Sequence, residues 1–276
     1  MQFLVGLLLG AIIAFPAYRV HSLSPGGAFA AVFIGAIVFG LGGLSWAILL
    51  LTFFITSTAL TRAFKKRKLA LNEKFSKGGQ RDAGQVFGHG GAATLFVMLY
   101  FFFPGALWPW LGFAAALASV NADTWATELG VLNPTQPRMI TDLRKRVEKG
   151  TSGGVSLWGT GAALLGASVI GTLAALLAPS VVEASAIDLW IIFSLVTISG
   201  LLGSLFDSLL GATVQAMYFC PADQKETEKH PLHTCGTPTI HTRGCKWLDN
   251  DWVNFSCGTF GVLIALAIYA GLAGIL

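Results

Sequence analysis

The sequence predicts an all-α polytopic membrane protein, a bundle of about eight transmembrane helices that can include short or re-entrant segments. Composition supports this prediction. The 276 residues are 54% hydrophobic, their mean hydropathy is +0.68, and only 12% of them are charged, about half the share found in soluble domains. Polar side chains this scarce cannot cover a soluble surface, which excludes a soluble enzyme. The 33 glycines suit closely packed membrane helices.

Eight apolar runs approach the length of about 20 residues that a helix needs to span a bilayer. The run from 27 to 60 is too long for one span, and Gly42-Gly43 is a natural break in it. No basic residue precedes the first run and no small-residue cleavage site follows it, which favours a span over a signal peptide. The predicted spans cover residues 3–18, 27–40, 44–60, 91–103, 107–120, 155–177, 189–211 and 255–276.

The distribution of charge predicts the orientation. With eight spans, all 18 Lys and Arg residues fall on one side of the membrane, and such residues mark cytoplasmic loops. We therefore expect one transmembrane domain over residues 1–276, with both termini outside and the active site at the cytoplasmic face. The expected cytoplasmic loops cover about 62–88, 131–154 and 215–254. The basic run at 65–68 is interpreted as a contact with anionic lipid headgroups.

Acidic and amide side chains recur where three predicted spans meet the same membrane boundary. Carboxylates at this depth are costly and are functional candidates by default. Their oxygens suit Mg2+, which also keeps waters and substrate phosphates. The predicted magnesium ligands are Asp123, Asp207, Asp251, Asn121, Asn250 and Asn254. A plain helix cap is an equal alternative for Asp251, and a solvated helix end is an equal alternative for Glu128.

A Gly- and Ser-rich turn ends the second loop and opens the sixth predicted span. Backbone N–H groups and the positive end of a helix dipole favour phosphate at such a turn, although a simple helix cap explains the pattern equally well. The Walker A pattern is absent. The residues assigned to nucleotide or phosphate are Lys149, Gly150, Thr151, Ser152, Gly153 and Ser156, with Arg138 and Arg144 of the preceding basic stretch.

Arg81, Gln85 and His89 end the first loop at a spacing of four, which predicts a shared helix face. Arginine is well suited to bidentate contacts with phosphate, so we assign Arg81 and Gln85 to phosphate. The alternative is a capped helix start with a structural histidine.

Three cysteines and three histidines lie in the third loop, where a zinc site is conceivable. They are Cys220, Cys235, Cys245, His230, His233 and His241. Their spacing matches no tight C-x2-C or H-x3-H pair, so ordinary loop residues are the favoured interpretation. A structural disulfide is not expected in a reducing cytoplasm.

Four ordered blocks, at residues 121–128, 149–156, 203–215 and 247–254, resemble the phytyl-phosphate kinase family of integral membrane proteins. The resemblance covers nearly the whole chain. It implies transfer of a phosphoryl group from a nucleoside triphosphate, with CTP the expected donor, to a prenyl monophosphate such as phytyl phosphate, giving the diphosphate. One departure is His89, near which the family pattern has Asn.

The resemblance and the residue chemistry together suggest roles. Phosphoryl transfer depends mainly on positioning, Mg2+ and cationic stabilisation. Asp123, Asp207, Arg81 and Lys149 are the predicted catalytic residues. Arg81, Arg138 and Arg144 are assigned to the acceptor phosphate or the transferred group. The prenyl tail is expected along the stripe of small residues that includes Gly203, Ser204 and Gly211.

Two other classes remain as alternatives. Intramembrane acids also mark the pathways of transporters, here for a phosphorylated or anionic amphiphile. Another intramembrane prenyl-phosphate transferase is the second alternative, although Asn121-Ala-Asp123 does not match its paired Asp-rich motifs. The expected partners are the prenyl-phosphate lipid, the nucleotide and membrane lipids, with no nucleic acid.

Overall fold

Eight long helices form the apolar part of the chain. The computed structural model describes residues 2–64, 79–179 and 186–273. Within these ranges the helices are α1 (Gln2–Arg19), α2 (Pro25–Ile37), α3 (Leu44–Ala63), α4 (Ala83–Phe102), α5 (Trp108–Gly130), α6 (Leu157–Leu176), α7 (Ala186–Thr213) and α8 (Asn250–Ala273). The predicted helical membrane fold is therefore confirmed. The basic run at 65–68 lies outside the described residues.

The expected break in the long second run is confirmed. A π-helical turn, Val38–Gly42, ends α2, and α3 begins at Leu44. Gly43 has a φ of 80°, a left-handed conformation that glycine adopts at little cost. Gly42 lies against Trp46, whose Cγ would be 2.5 Å from a Cβ added there. The two glycines therefore allow the break between the helices and the close indole contact.

Several helices begin earlier than their hydrophobic runs. At the start of α4, Asp82 accepts a hydrogen bond from the Gln85 backbone, and the Gln85 side chain accepts one from the Asp82 backbone. This capping box satisfies N–H groups that the first turn leaves open. Ser156 caps α6 by accepting a hydrogen bond from Gly159 N at 3.1 Å, although α6 begins at Leu157, slightly after its predicted start. The capped first turn thus extends α4, whose apolar run starts only at residue 91.

Helix α5 is the centre of the bundle. Seven other described helices are long and apolar enough to cross a membrane, whereas α5 is surrounded by protein, and its residues from Pro109 to Ala122 are all buried. Alanine dominates its middle, so neighbouring helices can approach closely. Near its start, Trp110 packs edge-on against Trp46 with ring centroids 5.0 Å apart. The protein shell of α5 allows this helix to carry polar side chains at its other end.

The described loops contain two small antiparallel sheets that the sequence patterns did not predict. Strands β1 (Arg138–Met139), β2 (Asp142–Arg146) and β3 (Gly154–Val155) pair in the order β2-β1-β3. Strands β4 (Met217–Cys220), β5 (Lys225–Thr227) and β6 (Ile240–Arg243) pair in the order β5-β4-β6. Every residue of β2 is exposed, so this strand lacks the alternation of apolar and polar residues that reveals a half-buried strand.

Candidate functional site

A polar cavity of about 310 Å³ lies at one end of the helix bundle. The C-terminal parts of α3, α5 and α7 and the N-terminal parts of α4, α6 and α8 meet there. Three helix N-termini therefore direct their positive dipole ends toward this region. The predicted site residues that line it are Arg81, Gln85, Asp123, Lys149, Gly150, Thr151, Ser152, Gly153, Ser156, Ser204, Asp207, Asn250 and Asn254.

Four carboxylates from three parts of the chain converge in the cavity, and Glu128 near the end of α5 is one of them. Asp123 lies on α5, Asp207 on α7, and Glu228 directly follows β5. The charges of Asp123 and Glu228 both act on Asp207. Sequence patterns did not identify Glu228, because it lies among other charged residues of a polar loop and nothing in its spacing distinguishes it.

The carboxylate cluster fits a hard divalent cation. The Oδ2 atom of Asp207 is buried and has no hydrogen-bond partner among the described residues. Burial of an unpaired carboxylate oxygen is costly, and a cation would offset that cost. Asn250 and Asn254 add amide oxygens to the same lining, and oxygen ligands are those that Mg2+ prefers. The donor set therefore suits Mg2+, although which of these side chains would bind it stays a prediction.

Arg81 supplies positive charge at the wall of the cavity. Its backbone is fixed by two hydrogen bonds, from its N–H to Ser22 O and from Ser24 N to its carbonyl, each 2.9 Å long. The guanidinium lies 5.4 Å from the centre of the Phe53 ring. Burial lowers the pKa of Arg81 from its ordinary value to about 10, and the nearby charge of Glu128 acts in the opposite direction. Arg81 is therefore still cationic at neutral pH.

Gln85 and His89 serve the structure of α4 as well as lining the cavity. Gln85 completes the capping box at the start of the helix. The Nδ1 atom of His89 lies 2.6 Å from the Gln85 carbonyl oxygen, and its ring stacks on Phe53 with centroids 5.7 Å apart. The capped helix start with a structural histidine is thus observed, and both side chains still face the cavity.

The Gly-rich turn also lines the cavity. Lys149 donates hydrogen bonds to the carbonyls of Val131 and Asn133 and so ties the turn to the end of α5. Gly153 has a φ of 85°, and a Cβ added there would lie 2.5 Å from the Ala212 Cβ. Only glycine combines this conformation with so close an approach to α7.

Gln215 is a second cavity residue that sequence patterns did not identify. It is only 2% exposed, and its Oε1 accepts a hydrogen bond from Ser152 Oγ at 2.8 Å. Its Nε2 is buried without a hydrogen-bond partner among the described residues. A buried, unpaired amide donor beside the Gly-rich turn suits an anionic oxygen. Gln215 ended the third sequence block, but an isolated glutamine has no spacing signal.

Two predicted phosphate ligands lie outside the cavity. Arg138 and Arg144 are on the exposed first sheet, where the Arg138 guanidinium donates to the Leu143 carbonyl and the Arg144 backbone N–H donates to Asp142. Neither side chain lines the cavity. Basic character in this stretch is therefore a property of the sheet surface, and the structure does not bring these two side chains to the site.

Two predicted metal ligands have other surroundings. Asn121 is fully buried, where it donates to Gly166 O at 2.8 Å and accepts from the Thr56 and Ser57 hydroxyls. It thus cross-links α3, α5 and α6 and does not line the cavity, which corrects its assignment as a metal ligand. Asp251 does not line the polar cavity either. It borders a separate apolar cavity.

The stripe of small residues on α7 is a helix-packing surface. A Cβ added at Gly203 would lie 2.3 Å from Ser119 Oγ, and one at Gly211 would lie 2.5 Å from Ser152 Oγ. Ser204 is buried and lines the polar cavity. Protein atoms therefore fill the path assigned to the prenyl tail, and that assignment is corrected: Gly203 and Gly211 allow close approach by α5 and by the Gly-rich turn.

An apolar cavity of about 550 Å³ lies between α2, α4 and α8, lined mainly by Phe, Ile, Leu and Met side chains. It begins at the same end of the bundle as the polar cavity, with Asp249 and Asp251 in its lining. The two cavities lie on opposite sides of a close contact between α4 and α8, where a Cβ added at Gly88 would be 2.7 Å from Asp251 O.

The fold and the site define an integral membrane protein whose polar cavity, lined by acids, amides, arginine and a Gly-rich turn, lies at one end of its helices. The sequence profile of the family described as integral membrane protein DUF92 matches residues 8–262. The chain belongs to that family. Which side of the membrane the cavity faces stays a prediction from the charge distribution.

Three relatives show the breadth of the similarity. The chain is 34% identical over 270 residues to Protein PGR of Arabidopsis thaliana, covering 92% of this chain and 91% of that protein. It is 31% identical over 212 residues to the uncharacterized membrane protein MJ0933 of Methanocaldococcus jannaschii, covering 77% and 83%. It is 25% identical over 251 residues to the chloroplastic Protein VTE6 of Arabidopsis thaliana, covering 90% and 65%. No solved structure matches the chain.

These matches agree with the resemblance to the phytyl-phosphate kinase family that the four sequence blocks carry. Each block contributes to the polar cavity. Asp123 comes from the first, the Gly-rich turn from the second, Asp207 from the third and Asn254 from the fourth. Segments that are more than 120 residues apart in sequence thus line one site.

Proposed function

We propose that the protein is a membrane-embedded kinase that transfers a phosphoryl group from a nucleoside triphosphate to a prenyl monophosphate, giving the diphosphate. The observation that carries the proposal is the meeting of all four family-like blocks at one cavity. Phosphoryl transfer requires few covalent steps from the protein, so positioning and charge stabilisation account for most of the catalysis. The cavity offers acids, a partly buried arginine and backbone N–H groups for this purpose.

The acidic side of the cavity would hold magnesium. Asp123, Asp207 and Asn254 are the proposed ligands, with Asn250 and Glu228 beside them. Magnesium bound there would neutralise charge on the donor phosphates. Without a cation, these carboxylates would repel a triphosphate, and the metal dependence of the activity follows from this repulsion.

The basic side would hold the phosphates. Arg81 would stabilise charge on the transferred group, and Gln215 Nε2 would donate to a phosphate oxygen beside the Gly-rich turn, since both residues line the cavity. Lys149 acts by fixing that turn through its bonds to the end of α5. A prenyl monophosphate is already nucleophilic near neutral pH, so the site needs no strong general base.

CTP is the donor that the family resemblance favours, and phytyl phosphate is the acceptor that it favours. The similarity to Protein VTE6 is distant, at 25% identity. The donor and acceptor are therefore separate variables in the experiment. Protein purified in detergent is given Mg2+ and a prenyl monophosphate, with each γ-labelled triphosphate in turn.

The expected result is a labelled prenyl diphosphate that requires Mg2+ and forms fastest with one triphosphate. Absence of product with every triphosphate would contradict the proposal. The transporter alternative predicts a different outcome, in which proteoliposomes accumulate the amphiphile without consuming nucleotide.

A further inference from the structure

A second group of polar side chains lies in the third loop, outside the polar cavity. Cys220, Asp223, His233 and Cys235 each offer one potential ligand atom, and these four atoms all lie within 4.8 Å of one another. Cys220 and His233 are buried, while Asp223 and Cys235 are exposed. None of the four lines the cavity proposed for phosphoryl transfer.

The distances within the group suit a tetrahedral metal. The Cys220 and Cys235 sulfurs are 3.6 Å apart, and two thiolates at about 2.3 Å from a tetrahedral zinc lie about 3.8 Å apart. This separation is far longer than a disulfide bond of about 2.05 Å. The Nδ1 atom of His233 lies 2.8 Å from Asp223 Oδ2, an ion-pair distance, and these two atoms would separate to about 3.3 Å if each bound a tetrahedral zinc at about 2.05 Å.

Two tight turns bring the ligands together. Cys220 ends β4, and Asp223 follows within a turn that the Gln224 side chain closes by donating to Pro221 O at 2.7 Å. The second turn contains His233 and Cys235, and in it His233 N donates to Thr237 O and Gly236 N donates to His233 O, both at 2.9 Å. The pattern is thus Cys-x2-Asp followed by His-x-Cys, a pairing that a search for C-x2-C or H-x3-H does not detect.

We propose that Cys220, Asp223, His233 and Cys235 bind one zinc ion. Four protein ligands leave no open position, and such closed sites are structural. On binding, the two thiols release their protons and coordinate as thiolates. The ion would fasten the end of β4 to the later part of the loop. Gln215 lies two residues before β4, and Glu228 directly follows its partner strand β5, so the zinc would also steady two residues of the polar cavity.

The test measures metal in the full-length protein, purified in detergent without chelators, by mass spectrometry. We expect close to one zinc ion per chain in the wild type and close to none in Cys220→Ser or His233→Ala. Cys245→Ser is the matched control, because Cys245 is an exposed free cysteine of the same loop outside the cluster, and it should retain the zinc of the wild type.

A second measurement uses only the wild type, so it tests the proposal even if the variants fail to fold. After removal of zinc by a chelator, added Co2+ should give the visible absorption of a tetrahedral thiolate site, and added Zn2+ should abolish it. The proposal is overturned if the wild type contains no zinc and gives no such cobalt spectrum. It is also overturned if Cys220→Ser and His233→Ala keep their zinc, or if freshly isolated protein contains a Cys220–Cys235 disulfide. Loss of kinase activity alone has no bearing on this outcome.

Discussion

Ser152 Oγ donates a hydrogen bond of 2.8 Å to Gln215 Oε1 and so joins the Gly-rich turn to the segment that follows α7. Gly153, the next residue of the turn, lies against Ala212 of α7. The turn before α6 is therefore fixed to the helix that carries Asp207. If the turn binds the donor phosphates, this connection sets their distance from the proposed metal ligands.

Gly153→Ala should displace the turn. The φ of 85° disfavours alanine by about 1–2 kcal/mol, and the new Cβ would lie 2.5 Å from the Ala212 Cβ. We expect a lower melting temperature and at least about tenfold weaker nucleotide binding, since a shift of about 1 Å can change rates by about a hundredfold. Both are measurable in detergent. Gly161→Ala is the matched control, because a Cβ at Gly161 meets nothing within 4 Å. Equal behaviour of the two variants would refute this role for the turn.

Asn121→Ala should affect stability more than chemistry. The substitution removes the amide that bonds to Gly166 O, Thr56 and Ser57 and leaves buried partners unsatisfied, at a cost of about 1–3 kcal/mol. The melting temperature should fall accordingly. Asn250→Ala, at a partly exposed position of the cavity, should instead lower activity with little change in melting temperature. A stable Asn121→Ala protein that has lost activity would restore Asn121 as a site residue.

Arg81→Gln should lower activity without lowering stability. Burial lowers the pKa of Arg81 to about 10, which means that folding disfavours its charged form at every pH below that value. A neutral side chain removes this cost, so the melting temperature should not fall. The loss of a cation from the transition state should reduce kcat by about a hundredfold or more. Arg19→Gln, at the end of α1, is the control and should leave both values unchanged. A large fall in melting temperature for Arg81→Gln would show that the residue is mainly structural.

Sequence patterns predicted the helices and many of the residues that line the cavity, because both can be recognised from the residue types in a short stretch of sequence. An acid such as Asp207 within an apolar run is costly unless it has a function, and the Gly-rich turn precedes a helix. Gln215 and Glu228 could not be predicted in the same way, because Gln215 is an isolated glutamine after α7, Glu228 lies among other charged residues of a loop, and only the tertiary fold brings them to the cavity.

The small residues of α7 illustrate a different limit of prediction. Spacing at Gly203 and Gly211 indicates that something approaches closely, and both a lipid chain and another protein segment satisfy that pattern. The structure shows protein at both positions. Cys220 and Cys235 are 15 residues apart in sequence, and their spacing did not predict that two turns bring their sulfur atoms within 3.6 Å of each other.

The central claim is that Asp207 takes part in metal-dependent phosphoryl transfer. The most direct test compares wild type, Asp207→Asn and Asp188→Asn in the formation of labelled prenyl diphosphate, with Mg2+ and the preferred triphosphate. Asp188 lies in the first turn of α7, at the far end of that helix from the polar cavity. Asp188→Asn is therefore the same substitution in the same helix, away from the site. We expect product from wild type and Asp188→Asn, and a loss of about a hundredfold or more in Asp207→Asn. Full activity in Asp207→Asn, or no diphosphate from the wild type, would contradict the claim.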